Sequence, residues 1–275
     1  PYWVSYAEQV KIAEGKNVIV ETTVSNAFKL QPEQLRRAIT PRTKALLLCS
    51  PSNPSGSVYT REELRALADV VKDHEGLFVI ADEIYEHINF AGGHESIAQF
   101  EEIHDRVVVI NGVSKGYAMT GWRIGYMAGP EWLAQACTKL QGQMTSGATS
   151  VAQRAALAAL TGDQACLQDM KKAFVRRRDL VLQHLAEIPG VQCTTPGGAF
   201  YVFPDFSAYF GKSAGNRHIE NSMDLCLYLL EEGHIATVPG SAFGVEGCVR
   251  ISYANSDDNL ERSMQRLKDA LAALT

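Results

Sequence analysis

The stretch NGVSKGYAMTGWRIGY, residues 111–126, follows the run RVVVI at 106–110. That run is β-branched and shows no polar alternation, as expected of a strand buried on both faces. Lys115 stands just past its end among small residues, with Arg123 eight positions further on. A solvated lysine needs no such setting. A lysine held over a bound group, with an arginine for that group's anion, does.

Similar runs occur upstream, ALLLCS at 45–50 and LFVIAD at 77–82. Between them Thr60 and Glu63 have capping-box spacing, which predicts a helix start. A short helix is expected over 32–39, a strand over 17–24 (NVIVETTV), another over 124–129, and a helix opening at Pro130. Strand, helix and strand joined by short loops give an α/β fold, a mostly parallel central sheet flanked by helices. The loop PSNPSG at 51–56, the end of LFVIAD and the end of RVVVI all lie at carboxyl ends of strands. In open α/β sheets that edge binds ligands.

From about Ser150 the texture changes. Helices are expected over 151–160, 163–187 and 223–232, short strands over 200–203, 235–238 and 248–253, and a closing helix from Asp257 capped by Ser256. The expected division is a large domain over 1–170 and a smaller C-terminal α+β domain over 171–275. The run Arg176–Arg178 reads as a solvated helix face.

Net charge is 26 − 31 = −5, which points away from nucleic acid and anionic membranes. Six cysteines, at 49, 137, 166, 193, 226 and 248, show no CxxC pair. They read as reduced, small hydrophobes in a cytoplasmic setting, with no disulfide or metal site expected. No apolar run reaches membrane-spanning length and no signal peptide is visible. The chain starts Pro-Tyr-Trp without a methionine and reads as the ordered part of a longer protein.

Asn53, Asp82, Tyr85, Lys115 and Arg123 fall at or just beyond the strand ends. Singly, each has a plain reading: a turn residue, a helix cap, a core aromatic, a solvated lysine, a surface ion pair. Jointly they suit pyridoxal 5'-phosphate. A lysine amine bonds its aldehyde, a carboxylate keeps its ring nitrogen protonated, a phenol and an amide bond its phenolate oxygen, and an arginine grips its phosphate.

The segments NPSG (53–56), ADEIYE (81–86), SKGYAMTGWRIGY (114–126) and CVRISYANS (248–256) resemble, in order and spacing, the signatures of class I/II aminotransferases. The similarity spans essentially the whole chain and is nearest to the bacterial aspartate aminotransferase branch of the fold type I pyridoxal-phosphate enzymes. It implies that Lys115 is the Schiff-base lysine and Asp82 the partner of the pyridinium nitrogen. Tyr85 and Asn53 would bond the phenolate oxygen, and Arg123 the phosphate. It further implies that Arg250 grips the substrate α-carboxylate and that Trp3 stacks on the ring, with Trp3 and Asn53 also bordering the substrate. Without the family, Arg250 reads as a strand-end ion pair and Trp3 as a core aromatic. Residues 196–200 (PGGAF) resemble a pocket-lining segment; the plain reading is a Gly-rich turn.

The chain departs from the pattern in two ways. Gly112 stands where some members carry a phosphate-binding serine, leaving Ser114 as the candidate contact. Family chains also begin well before the PYW segment, so this one reads as N-terminally incomplete, without the backbone phosphate cradle and distal specificity residues. The implied activity is ping-pong transfer of an amino group from an amino acid, expected to be aspartate, to a 2-oxo acid, expected to be 2-oxoglutarate, by a homodimer. The rivals are a β-lyase, an aromatic or prephenate aminotransferase, and a non-catalytic sensor domain on the same scaffold.

Overall fold

Four of the apolar runs form one sheet. In the computed structural model, which describes residues 1–275, β1 (Ala45–Cys49), β2 (Phe78–Asp82), β3 (Val107–Gly112) and β4 (Gly125–Ala128) lie side by side in that order. The first three are parallel, with Cys49 opposite Asp82 and Asp82 opposite Ile110, so their carboxyl ends line up. β4 runs antiparallel to β3, pairing Gly125 with Gly112. The residues joining these two strands hold only turns and a single 3-10 turn at Thr120–Trp122. A parallel return usually requires a crossover helix, which this loop lacks, so the chain doubles back instead.

The two helices that flank β1 in sequence begin as the sequence dictates. α1 (Val4–Ile12) precedes α2 (Pro32–Ala38), which carries proline in its first turn. α3 (Arg61–Lys72) starts at the Thr60 capping box: Thr60 Oγ1 accepts from the Glu63 N–H at 3.2 Å, and Glu63 Oε2 accepts from the Thr60 N–H at 2.8 Å. Leu64, Leu67, Val70 and Val71 on one face of α3 pack with Leu48, Val79 and Ile103 into the main core. α4 (Glu131–Met144) follows Pro130, and α5 (Ser150–Thr161) is capped by Thr149.

One expected strand is absent. Residues 17–23 form no ladder, and Val24–Asn26 is a 3-10 turn. Val18 and Ile19 are exposed, and a β-branched run without a partner strand gains nothing by extending into one. α1 was not anticipated, because its apolar residues do not gather on one face.

α6 (Ala165–Ala186) leads into the C-terminal elements: β5 (Tyr201–Val202), β6 (Ser213–Ala214), β7 (Arg217–His218), α7 (Ser222–Glu231), β8 (Val238–Pro239), β9 (Val249–Ser252) and α8 (Asp257–Ala272). β9 sits between β5 and β8, antiparallel to both. α8 starts where Ser256 Oγ accepts from the Asn259 N–H at 3.3 Å. The paired β6 and β7 had no sequence signal beyond Gly215 between them.

The chain packs as two compact units. A sheet unit comprises 30–51 and 58–171, and a terminal unit comprises 1–29, 52–57 and 172–275. The expected division at 170/171 compares with one at 171/172, but 1–29 and 52–57 cluster with the C-terminal residues. Phe28, Phe203, Phe243 and Cys248 form a core cluster of the terminal unit. The arginine run is not a bare solvated face. Arg176 and Arg177 both donate to Asp257 at 2.7 and 2.9 Å, which holds that carboxyl down to about 2, and Arg178 donates to the Pro196 carbonyl at 3.3 Å. No helix is long and apolar enough to cross a membrane.

Candidate active site

Asp82 is the last residue of β2, half-buried, with Oδ1 accepting from the Ile84 N–H at 3.2 Å. The chain turns at once: the Ile88 N–H donates to the Tyr85 carbonyl at 2.8 Å, and Tyr85 is buried. One strand over, β3 ends at Gly112, and a turn closed by the Ala118 N–H on the Lys115 carbonyl at 3.2 Å carries Ser114 and Lys115, both half-buried. Arg123 is exposed and left-handed at φ 56°, with Nη1 donating to the Thr120 carbonyl at 2.9 Å. Because β4 is antiparallel, its first residue Gly125 sits opposite Gly112. Arg123, two positions earlier, therefore belongs to the same edge as Asp82 and Lys115.

Small residues around a lysine that holds a bound group suggest room for that group. The structure gives them another purpose. A Cβ on Gly112 would meet the Ile124 carbonyl oxygen at 2.7 Å, and one on Gly116 would meet the His87 ring at 2.7 Å. Both glycines make way for the protein's own atoms. His87 also meets Tyr117 edge-on at 5.4 Å, and Tyr117 Oη donates to Gln164 Oε1 at 2.7 Å, fixing the far side of the Lys115 turn. Burial and the nearby Glu86 raise the Tyr117 phenol above its ordinary range.

The terminal unit holds the other candidates. Arg250, on β9, donates from Nη1 to Asn53 Oδ1 at 2.9 Å, across 197 positions of sequence. Its guanidinium carbon lies 4.5 Å from the Tyr201 ring centre and 4.8 Å from that of Phe243. Two aromatic rings and an amide thus fix its plane. Asn53 is buried in the segment 52–57, where the Gly56 carbonyl accepts from the Gly198 N–H at 2.9 Å. Gly56 has φ +68°, and a Cβ there would meet Pro196 Cβ at 2.3 Å, so only glycine fits. The NPSG and PGGAF segments therefore lie backbone against backbone. Trp3 caps α1, half-buried, and meets Tyr6 edge-on at 5.4 Å.

Sequence reasoning missed Glu83 and its partners, although ADEIYE contains it. Glu83 is 6% exposed. Its Oε2 lies 2.8 Å from His94 Nε2, and its Oε1 accepts from Ser96 Oγ at 2.6 Å. Glu86 brings a third ligand atom within 4.8 Å of these, a spacing explained here by the Glu83–His94 hydrogen bond. An acidic residue inside an apolar strand end is the signal that could have found it, since a buried carboxylate needs partners. No cysteine is in a disulfide, and burial pushes the Cys193 and Cys248 thiols up to about 12, which disfavours the reactive thiolate.

An amine, a carboxylate, a phenol and a guanidinium thus share one edge of the sheet unit. That donor set fits an anionic heteroaromatic cofactor: a cation for the anion, a carboxylate for a protonated ring nitrogen, an amine for an aldehyde.

Known proteins are similar to this chain in sequence and in fold. Aspartate aminotransferase of Geobacillus stearothermophilus is 48% identical, over 97% of this chain and 67% of its own. The bifunctional aspartate aminotransferase and glutamate/aspartate-prephenate aminotransferase of Petunia hybrida is 47% identical, over 100% of this chain and 58% of its own. The crystal structure of the aspartate aminotransferase from Rhizobium meliloti superposes with a TM-score of 0.96 at 44% identity, covering 100% of this chain and 70% of that one. The chain spans between 58% and 70% of the length of these relatives. The fold is that of these aminotransferases, fold type I. The family Aminotransferase class I and II matches residues 1–267, and this chain belongs to it.

Proposed function

We propose that the protein of which this chain is at least a part is a pyridoxal-phosphate-dependent aminotransferase that takes the amino group of aspartate and delivers it to 2-oxoglutarate. The observation that most supports this reading is the common edge of Asp82, which ends β2, and Lys115, in the turn just past the end of its parallel neighbour β3, in a chain 48% identical to an aspartate aminotransferase.

Pyridoxal phosphate, when bound, supplies an aldehyde for amines and a ring that accepts electrons from the substrate's Cα. Lys115 would hold the cofactor through Nζ and, once displaced by the amino acid, serve as general base, moving the Cα proton. Asp82 would keep a proton on the ring nitrogen through its carboxylate. Tyr85 and Asn53 would donate hydrogen bonds to the cofactor's phenolate oxygen. Arg123 would hold its phosphate, with Ser114 beside it, and Trp3 would cover the ring. Arg250 would orient the substrate by two parallel hydrogen bonds to its α-carboxylate. That role suits a guanidinium whose plane two rings already fix. As a working division, residues 1–170 and 171–275 act as cofactor and substrate domains of a cytoplasmic homodimer.

The test is oxaloacetate formation by the purified full-length protein from aspartate and 2-oxoglutarate. Lys115→Ala should lower kcat by on the order of 10⁴-fold, and Asp82→Ala by about 100-fold or more. Wild-type turnover in Lys115→Ala would overturn the reading. Release of pyruvate and ammonia without an acceptor would indicate a lyase, and cofactor binding without turnover a sensor. A second acceptor, prephenate, is suggested by the name of the Petunia hybrida relative and is tested by replacing 2-oxoglutarate with it in the same assay.

A further inference from the structure

Glu83 is a buried charge lodged between two proposed cofactor residues, and none of the roles above uses it. Its backbone N–H donates to the Ile110 carbonyl at 2.9 Å, extending the β2–β3 ladder one residue past Asp82. Its carbonyl accepts from the Glu86 N–H at 2.9 Å, which starts the turn that carries Tyr85. Its side chain reaches the far end of the following loop, to His94 and Ser96. Ser96 Oγ also accepts from the Ala98 N–H at 3.2 Å, capping the 3-10 turn Ile97–Gln99, so that end of the loop is itself anchored. Between the ends, Asn89 is 2% exposed, accepting from the Ala91 N–H at 2.9 Å and donating to the Gly93 carbonyl at 3.2 Å. The loop is thus closed at its ends by one carboxylate and braced in its middle by one amide.

A surface loop needs no buried acid at its root. Burying a carboxylate is costly unless its oxygens are satisfied, and here both are. Such a clamp has a mechanical consequence. Asp82 and Tyr85 flank Glu83 in sequence, so a residue that fixes its own backbone on one side of the sheet end fixes theirs.

Resting on the functional reading above, we propose that Glu83 is a positioning residue: its carboxylate, held by His94 and Ser96, locks the turn at 83–88 so that Asp82 and Tyr85 are pre-set for the cofactor. Functional groups need support of this kind, because a small misplacement of a catalytic group is expensive.

Glu83→Gln and Ser96→Ala test this in the full-length protein loaded with pyridoxal phosphate. Glu83→Gln keeps the shape and loses the charge, and Ser96→Ala keeps the charge and loses one partner. Three quantities are measured: amide hydrogen exchange over 84–88, the circular dichroism of the bound cofactor's visible band, and kcat separately from KM. In both variants exchange should rise, the visible dichroism should shrink, and kcat should fall by roughly 10–100-fold with KM little changed. Ile103→Val, a core change elsewhere in the sheet unit, should lower stability and leave the dichroism alone. Unchanged exchange over 84–88 in both variants overturns the clamp. Raised exchange with unchanged dichroism and kcat overturns the positioning role. A wild-type protein that forms no visible band overturns the functional reading itself, and this is seen before any variant is made.

Discussion

Two flanks of the same sheet unit bury their apolar residues very differently. α3 presents Leu64, Leu67, Val70 and Val71 to the core, each 1% exposed or less. α4 buries no residue at all: Trp132 is 60% exposed, Leu140 62% and Met144 73%. The pattern continues on α5, where only Ala152 and Ala156 are buried, and on β3 and β4, where Ile110 and Tyr126 stand exposed. Both helices carry large apolar residues. What differs is whether the 275 residues provide a neighbour. Exposed apolar surface on this scale is a surface made to pack, because parallel strands are ordinarily covered on both faces.

The largest contrast should appear in stability. Leu67→Ala should cost about 2–5 kcal/mol in urea unfolding, whereas Leu140→Ala should stay within about 0.5 kcal/mol. Equal losses would mean that Leu140 is covered in solution. Next, the 275-residue chain studied alone should bind a hydrophobic dye, and Leu140→Lys with Met144→Lys should lower that binding; an unchanged signal would place the sticky surface elsewhere.

Smaller effects come from pH. Burial opposes charge on His94, but its hydrogen bond to Glu83 and the charges of Glu83, Glu86 and Glu95 outweigh this and raise its pKa above the ordinary 6.5. A raised histidine contributes stability that is complete below 6.5 and is lost as pH rises through the raised value. The melting temperature should therefore fall over that window, and the fall should vanish in Glu83→Gln. The smallest effect is expected from Arg65, which donates to Glu102 at 3.0 Å from the exposed side of α3 and holds that carboxyl down to about 2. Its contribution is present above 4.5 and fades as pH falls toward 2. Arg65→Gln should flatten acid unfolding slightly, since exposed pairs are worth little.

Local signals were legible in sequence. Unpatterned apolar runs bounded by turn residues became β1, β2 and β3, and Thr60 and Ser256 capped the helices they were expected to cap. What failed depended on partners. NVIVETTV has strand chemistry and no strand beside it. The direction of β4 followed from a loop without a crossover helix, and the apolar run alone is silent on direction. Asn53 and Lys115 stood out through motifs, but the hydrogen bond from Arg250 to Asn53 spans 197 positions and no local pattern contains it. Glu83 was hidden for the same reason: its meaning lies in His94 and Ser96, beyond the turn it begins.

The central claim is that the edge shared by Asp82 and Lys115 holds pyridoxal phosphate through Lys115. Reducing the cofactor-loaded full-length protein with borohydride and mapping its peptides by mass spectrometry tests this directly. The pyridoxyl mass should fall on Lys115 alone and be absent from Asp82→Ala protein only in proportion to lost cofactor. A label on another lysine, or none at all, would contradict the account.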